Sequence, residues 1–280
     1  GFRTVGTKAP IATPSDCSKI LISENMSINT TQYGIQTYYG YAIVVANNII
    51  DGSETISGDL SCITIDRTTE ATVIGNSVRN AANDQIFVTG VKDVTVTGNT
   101  CLGGKGGIQV CFNFEDVEDA PLKESVNVTV TGNAVNFTSD RGIIFNGVNR
   151  STITSNSIRG GVGNAIVLVE TIRNDGYQSV TSDIAITANV CERGYFQSTV
   201  ASGGLRISVI ANLFASYVGT NDNTILMNND GLLSLRFGGK QIDNFGLLKR
   251  DNMSADQWLM EFRLADESVH KGFVQRYLYG

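Results

Sequence analysis

Between residues 18 and 238 the apolar positions fall into short runs of two kinds. In the first kind, Val or Ile alternates with Thr: Val94-Thr95-Val96-Thr97, Val128-Thr129-Val130-Thr131, Thr152-Ile153-Thr154 and Ile184-Ala185-Ile186-Thr187. A period of two puts the aliphatic residues on one face of a strand and the threonines on a solvated face. The second kind is apolar on both faces: Gln85-Ile86-Phe87-Val88, Gly107-Ile108-Gln109-Val110, Gly142-Ile143-Ile144-Phe145 and Ala165-Ile166-Val167-Leu168, with Ile35 and Ile63 in the same set. Phe87, Ile144, Val167 and Leu226 are expected to point outward there, and an outward apolar stripe needs a cover. Inserted loops or another subunit would supply it, and a homotrimer is the preferred arrangement.

Runs of the first kind end in a repeated phrase: aliphatic, any, small, Asn, any, apolar. Val73 to Val78, Val96 to Cys101, Val130 to Val135, Ile153 to Ile158, Ile186 to Cys191 and Val209 to Phe214 carry it. The aligned residues are Asn25, Asn48, Asn76, Asn99, Asn133, Asn156, Asn189 and Asn212, separated by 23, 28, 23, 34, 23, 33 and 23 residues. The base period is 23, too short for a helix pair and suited to one coil of short strands linked by turns. Stacked coils would let each Asn amide bond the next, and the tolerance of Asn for left-handed backbone would help the turn. The largest insertions, roughly 112–123 and 170–179, fall in one turn of coils four and six and flank coil five. The expected fold is all-β: a single-stranded parallel β-helix of about eight or nine coils over 18–238. Residues 1–17 would form an entry segment and 239–280 a cap or trimer-closing segment.

Composition narrows the function. The chain has 280 residues, 41% hydrophobic, with 30 Gly and 3 Pro, which suits many tight turns and strands that need every N–H. A net charge of −6 without a basic block argues against nucleic acid as a partner. No apolar run approaches the roughly 18 residues needed to span a bilayer, so no membrane insertion is expected. The first residues match no targeting signal and lack an initial Met, so a fragment or processed product is expected. Five cysteines without a Cys-x-x-Cys pair read as small buried hydrophobes, a use that fits assembly in a reducing cytoplasm. A single His, His270, argues against His-based metal sites and Ser-His-Asp triads, and no cofactor is expected.

The Asn phrases alternating with Gly-Ile-x-Val strands resemble the right-handed, pectate-lyase-like parallel β-helix, above all bacteriophage tailspikes. The resemblance covers about residues 18 to 238 and concerns architecture. It implies a right-handed coil and a trimer. It also implies a virion-tail protein that binds bacterial surface polysaccharide and often cleaves it. The Gly-His-Gly and Arg-Ile-Lys motifs of polygalacturonases are absent, as is an Asp-rich calcium cluster of the pectate lyase kind, so no family catalytic residue carries over by motif.

Candidate chemistry therefore comes from position. Asp84 and Asp140 precede the second kind of strand, eight and seven residues after their Asn. Two coils apart means roughly 9–10 Å at the strand spacing, compatible with an inverting glycosidase pair. The plainer reading is that each Asp caps a turn. Phe112, Phe114, Glu115 and Asp116 in the first insertion offer rings and carboxylates to sugars; a solvated charge run is the rival reading. Glu170, Arg173, Asp175 and Tyr177 in the second insertion, with Arg150 between, would line a groove, and Tyr177 beside an Arg would suit an elimination. Three functions follow: a tailspike-like receptor-binding protein that hydrolyses O-antigen or capsule, a non-catalytic spike module, and a bacterial polysaccharide lyase or epimerase, the last secreted.

Overall fold

The structure is a computed structural model, and it describes residues 2–5, 17–30, 33–52, 61–113, 124–137, 139–160, 163–171, 178–198, 207–210, 212–219, 224–227, 235–237, 240–248, 257–264 and 269–275. Every regular element among them is a β-strand. Three strands per coil recur in chain order and stack in parallel columns. The first column holds Ser18–Ser23, Tyr41–Ala46, Thr69–Ile74, Lys92–Thr97, Ser125–Thr131, Val148–Thr154, Ser182–Thr187, Ile207–Ile210 and Thr224–Met227. After the Asn comes a short column: Met26–Thr30, Ile49–Gly52, Ser77–Arg79, Thr100–Gly104, Ala134–Phe137 and Ser157–Gly160. The second column follows: Ile35–Tyr38, Ile63–Asp66, Asp84–Thr89, Gly106–Cys111, Arg141–Asn146 and Asn164–Val169. Phe2–Val5 extends it at the N-terminal edge, pairing in parallel with Ile35–Tyr38. Val190–Ser198 pairs with both Ser157–Gly160 and Asn164–Val169, so the short and second columns join there.

Like sits on like because the register is in phase with the repeat. Val96 lies between Val73 and Val130, and Ile153 between Val130 and Ile186. These aliphatics are fully buried, and with Ile63, Ile86, Ile108, Ile143 and Ile166 of the second column they form one continuous core. Thr72, Thr95, Thr129 and Thr152 stand on the opposite, half-exposed face of the first column.

The asparagines form the expected column. From Asn25 to Asn212, each side-chain amide nitrogen lies 2.8–3.0 Å from the Oδ1 of the next Asn. That Oδ1 also accepts the backbone N–H of the preceding Asn. One expectation is corrected. The left-handed residue of the turn is the one before the Asn: Glu24, Asn47, Gly75, Gly98, Gly132, Ser155 and Ala188, with φ of 54° to 65°. The small residue in the repeated phrase reflects this backbone, which costs a residue with a Cβ.

Two further expectations change. Ile144 and Val167 are only 2% and 1% exposed in the single chain, so these two are covered without a second subunit, whereas Phe87 is half-exposed. Leu226 lies in the first column, in backbone register with the inward Val209, and not in the second. Beyond the solenoid, Leu235–Phe237, Lys240–Leu248, Gln257–Leu264 and Val269–Gln275 form a four-stranded antiparallel sheet in chain order. Among the described residues no helix is long and apolar enough to cross a membrane.

Candidate functional site

In the second column, Ile63 and Ile65, Ile86 and Val88, Ile108 and Val110, Ile143 and Phe145, and Ile166 and Leu168 face the core. Alternation therefore turns Thr64, Phe87, Gln109, Ile144 and Val167 to the outer face. Ile144, Val167, Cys111 and Phe112 are buried yet lie outside the core cluster, as this direction requires. One rim of the face is the register line Asp84, Gly106, Arg141 and Asn164. The other rim is Tyr38, Asp66, Thr89, Cys111 and Asn146.

Asp84 opens its strand on the first rim and is only 1% exposed. Gly106 makes room for it, since a Cβ there would stand 2.3 Å from Asp84 Oδ1. The residue aligned with Asp84 two coils on is Arg141. Asp140 sits one position earlier, half-exposed, with its carboxylate 3.3 Å from Arg141 Nε. The two aspartates thus share a rim at a separation of two coils, in unlike surroundings.

The other sequence candidates are scattered. Phe112 is fully buried, its N–H donating to Asn146 O at 2.7 Å and its carbonyl accepting from Thr89 Oγ1 at 2.8 Å, so its ring packs within the turn. Arg150 is exposed at the start of the first column, at φ 50°. Glu170 is half-buried and accepts the Thr181 N–H at 3.3 Å, tying the two ends of the second insertion. Phe114, Glu115, Asp116, Arg173, Asp175 and Tyr177 lie outside the described residues.

The second rim holds a cluster that sequence reasoning missed. Arg67, buried and left-handed at φ 47°, follows Asp66. Its guanidinium donates to the hydroxyls of Tyr38 and Tyr39, and to Asn113 Oδ1 at 3.1 Å, and its Nε lies 3.5 Å from Asp66 Oδ1. The same group sits 4.8 and 5.2 Å from the two ring centroids. Tyr38 and Tyr39 meet edge to face at 4.5 Å. In the intervening coil the aligned turn residue is Gly90, which has no side chain to block the reach from Arg67 to Asn113. Strained backbone around buried polar groups is characteristic of functional sites. The available signal was a lone Asp-Arg pair ending a strand of otherwise inward aliphatics.

The insertion stems are tied down as well. Asn146, Thr171 and Ser179 share side-chain hydrogen bonds of 3.0–3.3 Å. Glu124, at the exit of the first insertion, accepts from Asn149 Nδ2 and from the Val180 N–H. All five cysteines are buried and outside any disulfide; burial pushes the Cys62 and Cys191 thiols up to about 12 and the Cys101 and Cys111 thiols further still, so these four are poor nucleophiles. No group of three or more potential metal ligands occurs among the described residues.

Two solved structures share this architecture. The A-module of mannuronan C-5 epimerase AlgE6 of Azotobacter vinelandii superposes with a TM-score of 0.57 at 16% identity, covering 78% of this chain. The AlgE4 A-module of the same organism gives 0.55 at 14% identity, covering 80%. The chain is a parallel β-helix protein. This β-helix spans about two thirds of the length of each module, 66% and 64%. The Dettilon tailspike protein matches more loosely, with a TM-score of 0.43 at 13% identity over 94% of this chain and 62% of its own. No protein-family model and no curated protein matches the sequence. Identities this low speak to the fold alone.

Proposed function

We propose that this β-helix is a tailspike-like receptor-binding protein that binds bacterial O-antigen or capsule and cleaves it by glycoside hydrolysis. It would assemble in the host cytoplasm and act outside the cell as part of the virion tail. The observation that carries the reading is the shared rim of Asp84 and Asp140. Two steps of about 4.8 Å separate their coils, close to the spacing of an inverting pair. Asp84 has the shielded position that suits a general acid, and Asp140 the wetter one that suits activation of water. The repeated Asn phrases and the buried cysteines outside any disulfide support the tailspike reading.

Lyase or epimerase chemistry on an acidic sugar would want a cation to hold the sugar carboxylate. Arg67 and Arg141 are each paired with a neighbouring aspartate, at 3.5 and 3.3 Å, whereas Lys105, exposed beside Gly106 on the rim, is a cation that such chemistry could use. Hydrolysis is proposed first because the rim carries two carboxylates near the spacing of an inverting pair. The test is incubation with host polysaccharide, scoring new reducing ends against the ultraviolet absorbance of an unsaturated uronate. Reducing ends without that absorbance are expected. Asp84→Asn and Asp140→Asn should each lower the rate by at least about 10²-fold, the usual weight of acid–base catalysis. Full activity in both variants overturns the assignment, and binding without any product moves the protein to the non-catalytic spike class.

A further inference from the structure

Thr64 is the residue on the outer face that folding does not explain. It is 3% exposed, and its Oγ1 makes no hydrogen bond. A buried hydroxyl without a partner costs stability, and Val would fill the same shape in a strand without that cost. Register surrounds it with groups suited to a ligand. Thr64 pairs with Gln36 on one side and Phe87 on the other, and Asp66, two residues on in the same strand, pairs with Tyr38 and Thr89. Tyr38 and Phe87 are half-exposed. They stand two coils apart and two residues out of line, about 12 Å from the strand spacing and rise per residue, near the length of a disaccharide. Arg67 fixes the Tyr38 ring by cation–π contact and by a hydrogen bond to its hydroxyl.

We infer that Tyr38, Thr64, Asp66 and Phe87 form a saccharide-binding subsite for uncharged pyranose units, separate from the Asp84–Asp140 rim. The inference rests on the polysaccharide reading above and deepens it. Aromatic faces give apolar C–H surfaces of a sugar ring a platform, and the Thr64 hydroxyl and Asp66 carboxylate meet ring hydroxyls between them. Charge selects among sugars: Asp66 carries one negative charge and Arg67, 3.5 Å away, offsets it, so this pair offers no net attraction to a polyanion. A hydroxyl-rich neutral unit fits this floor better than a uronate.

The test is binding of the full chain carrying Asp84→Asn, to suppress cleavage, to immobilised neutral hexose oligosaccharides and to oligomannuronate and oligogalacturonate. Neutral oligosaccharides should bind, and uronate oligomers at least tenfold more weakly. Adding Thr64→Val should weaken neutral-sugar binding about tenfold while leaving Tm unchanged or higher, an opposition that a merely structural Thr64 would not produce. Phe87→Ala should weaken it further. Binding confined to uronates, or binding of neutral sugars that Thr64→Val leaves intact, overturns the subsite but leaves the polysaccharide reading standing. Binding to no glycan of either kind overturns both.

Discussion

Asn133 sits mid-ladder. Its Oδ1 accepts both the backbone N–H and the side-chain amide of Asn99, each at 3.0 Å. Its own amide nitrogen reaches Val96 O and Asn156 Oδ1 at the same distance. All of this is buried, so removing the side chain strands groups that water cannot reach. Each such orphan costs about 1–3 kcal/mol, so Asn133→Ala should destabilise the chain by about 3 kcal/mol in urea unfolding. Asn25 lies at the open end of the ladder and is half-buried, so Asn25→Ala should cost about 1 kcal/mol, the net worth of an ordinary hydrogen bond. Equal costs at the two positions would mean that the ladder is not what holds the coils in phase.

At the scale of the turn, the residue before each Asn tests backbone against side chain. At Gly98 a Cβ would meet nothing within 4 Å, and at Gly132 only the Gly98 nitrogen at 4.0 Å. Gly132→Ala therefore isolates the cost of a left-handed Cβ, about 1 kcal/mol. The reciprocal change, Ser155→Gly, starts from φ 54° and should be neutral or stabilising by up to about 1 kcal/mol. Loss of stability in Ser155→Gly would show that the serine side chain, not the turn backbone, sets that position.

The stacking was legible in the sequence because the same letter recurs wherever one coil lies on the next. The left-handed position was less so, because Glu24 and Asn47 occupy it in the first coils and hide the preference for small residues. Counting from the Asn reaches Asp84 and Arg141 at the same offset of eight, which is the register observed; Asp140, at seven, falls one place short. The Arg67 cluster was not legible. Its partners Tyr39 and Asn113 stand 28 and 46 residues away, in turns with no repeated letter. Leu226 was misplaced because it follows its register partner Val209 by 17 residues, fewer than the 23 of a full period.

For the whole molecule, the open question is what the exposed apolar residues contact. Of the stripe first suspected, Ile144 and Val167 are already covered and give no reason for association, while Phe87 stays half-exposed. Among the described residues, four of the seven exposed large apolar side chains, Leu21, Met26, Ile28 and Ile49, lie in the first two coils, with Met26 and Ile49 adjacent in the short column, while Ile74, Leu102 and Val190 are spread along later coils. Exposed apolar side chains that lie close together favour association. A proposed trimer would therefore be held chiefly through the first and short columns of these coils, leaving the outer face of the second column, with Tyr38 and Phe87, to the sugar. Light scattering should return three times the chain mass. Met26→Glu with Ile28→Glu should shift it toward the monomer without altering the cleavage assigned to Asp84 and Asp140, because those coils lie several strand spacings away. A wild-type monomer would remove the trimer, and a trimer indifferent to both glutamates would move its interface elsewhere on the solenoid.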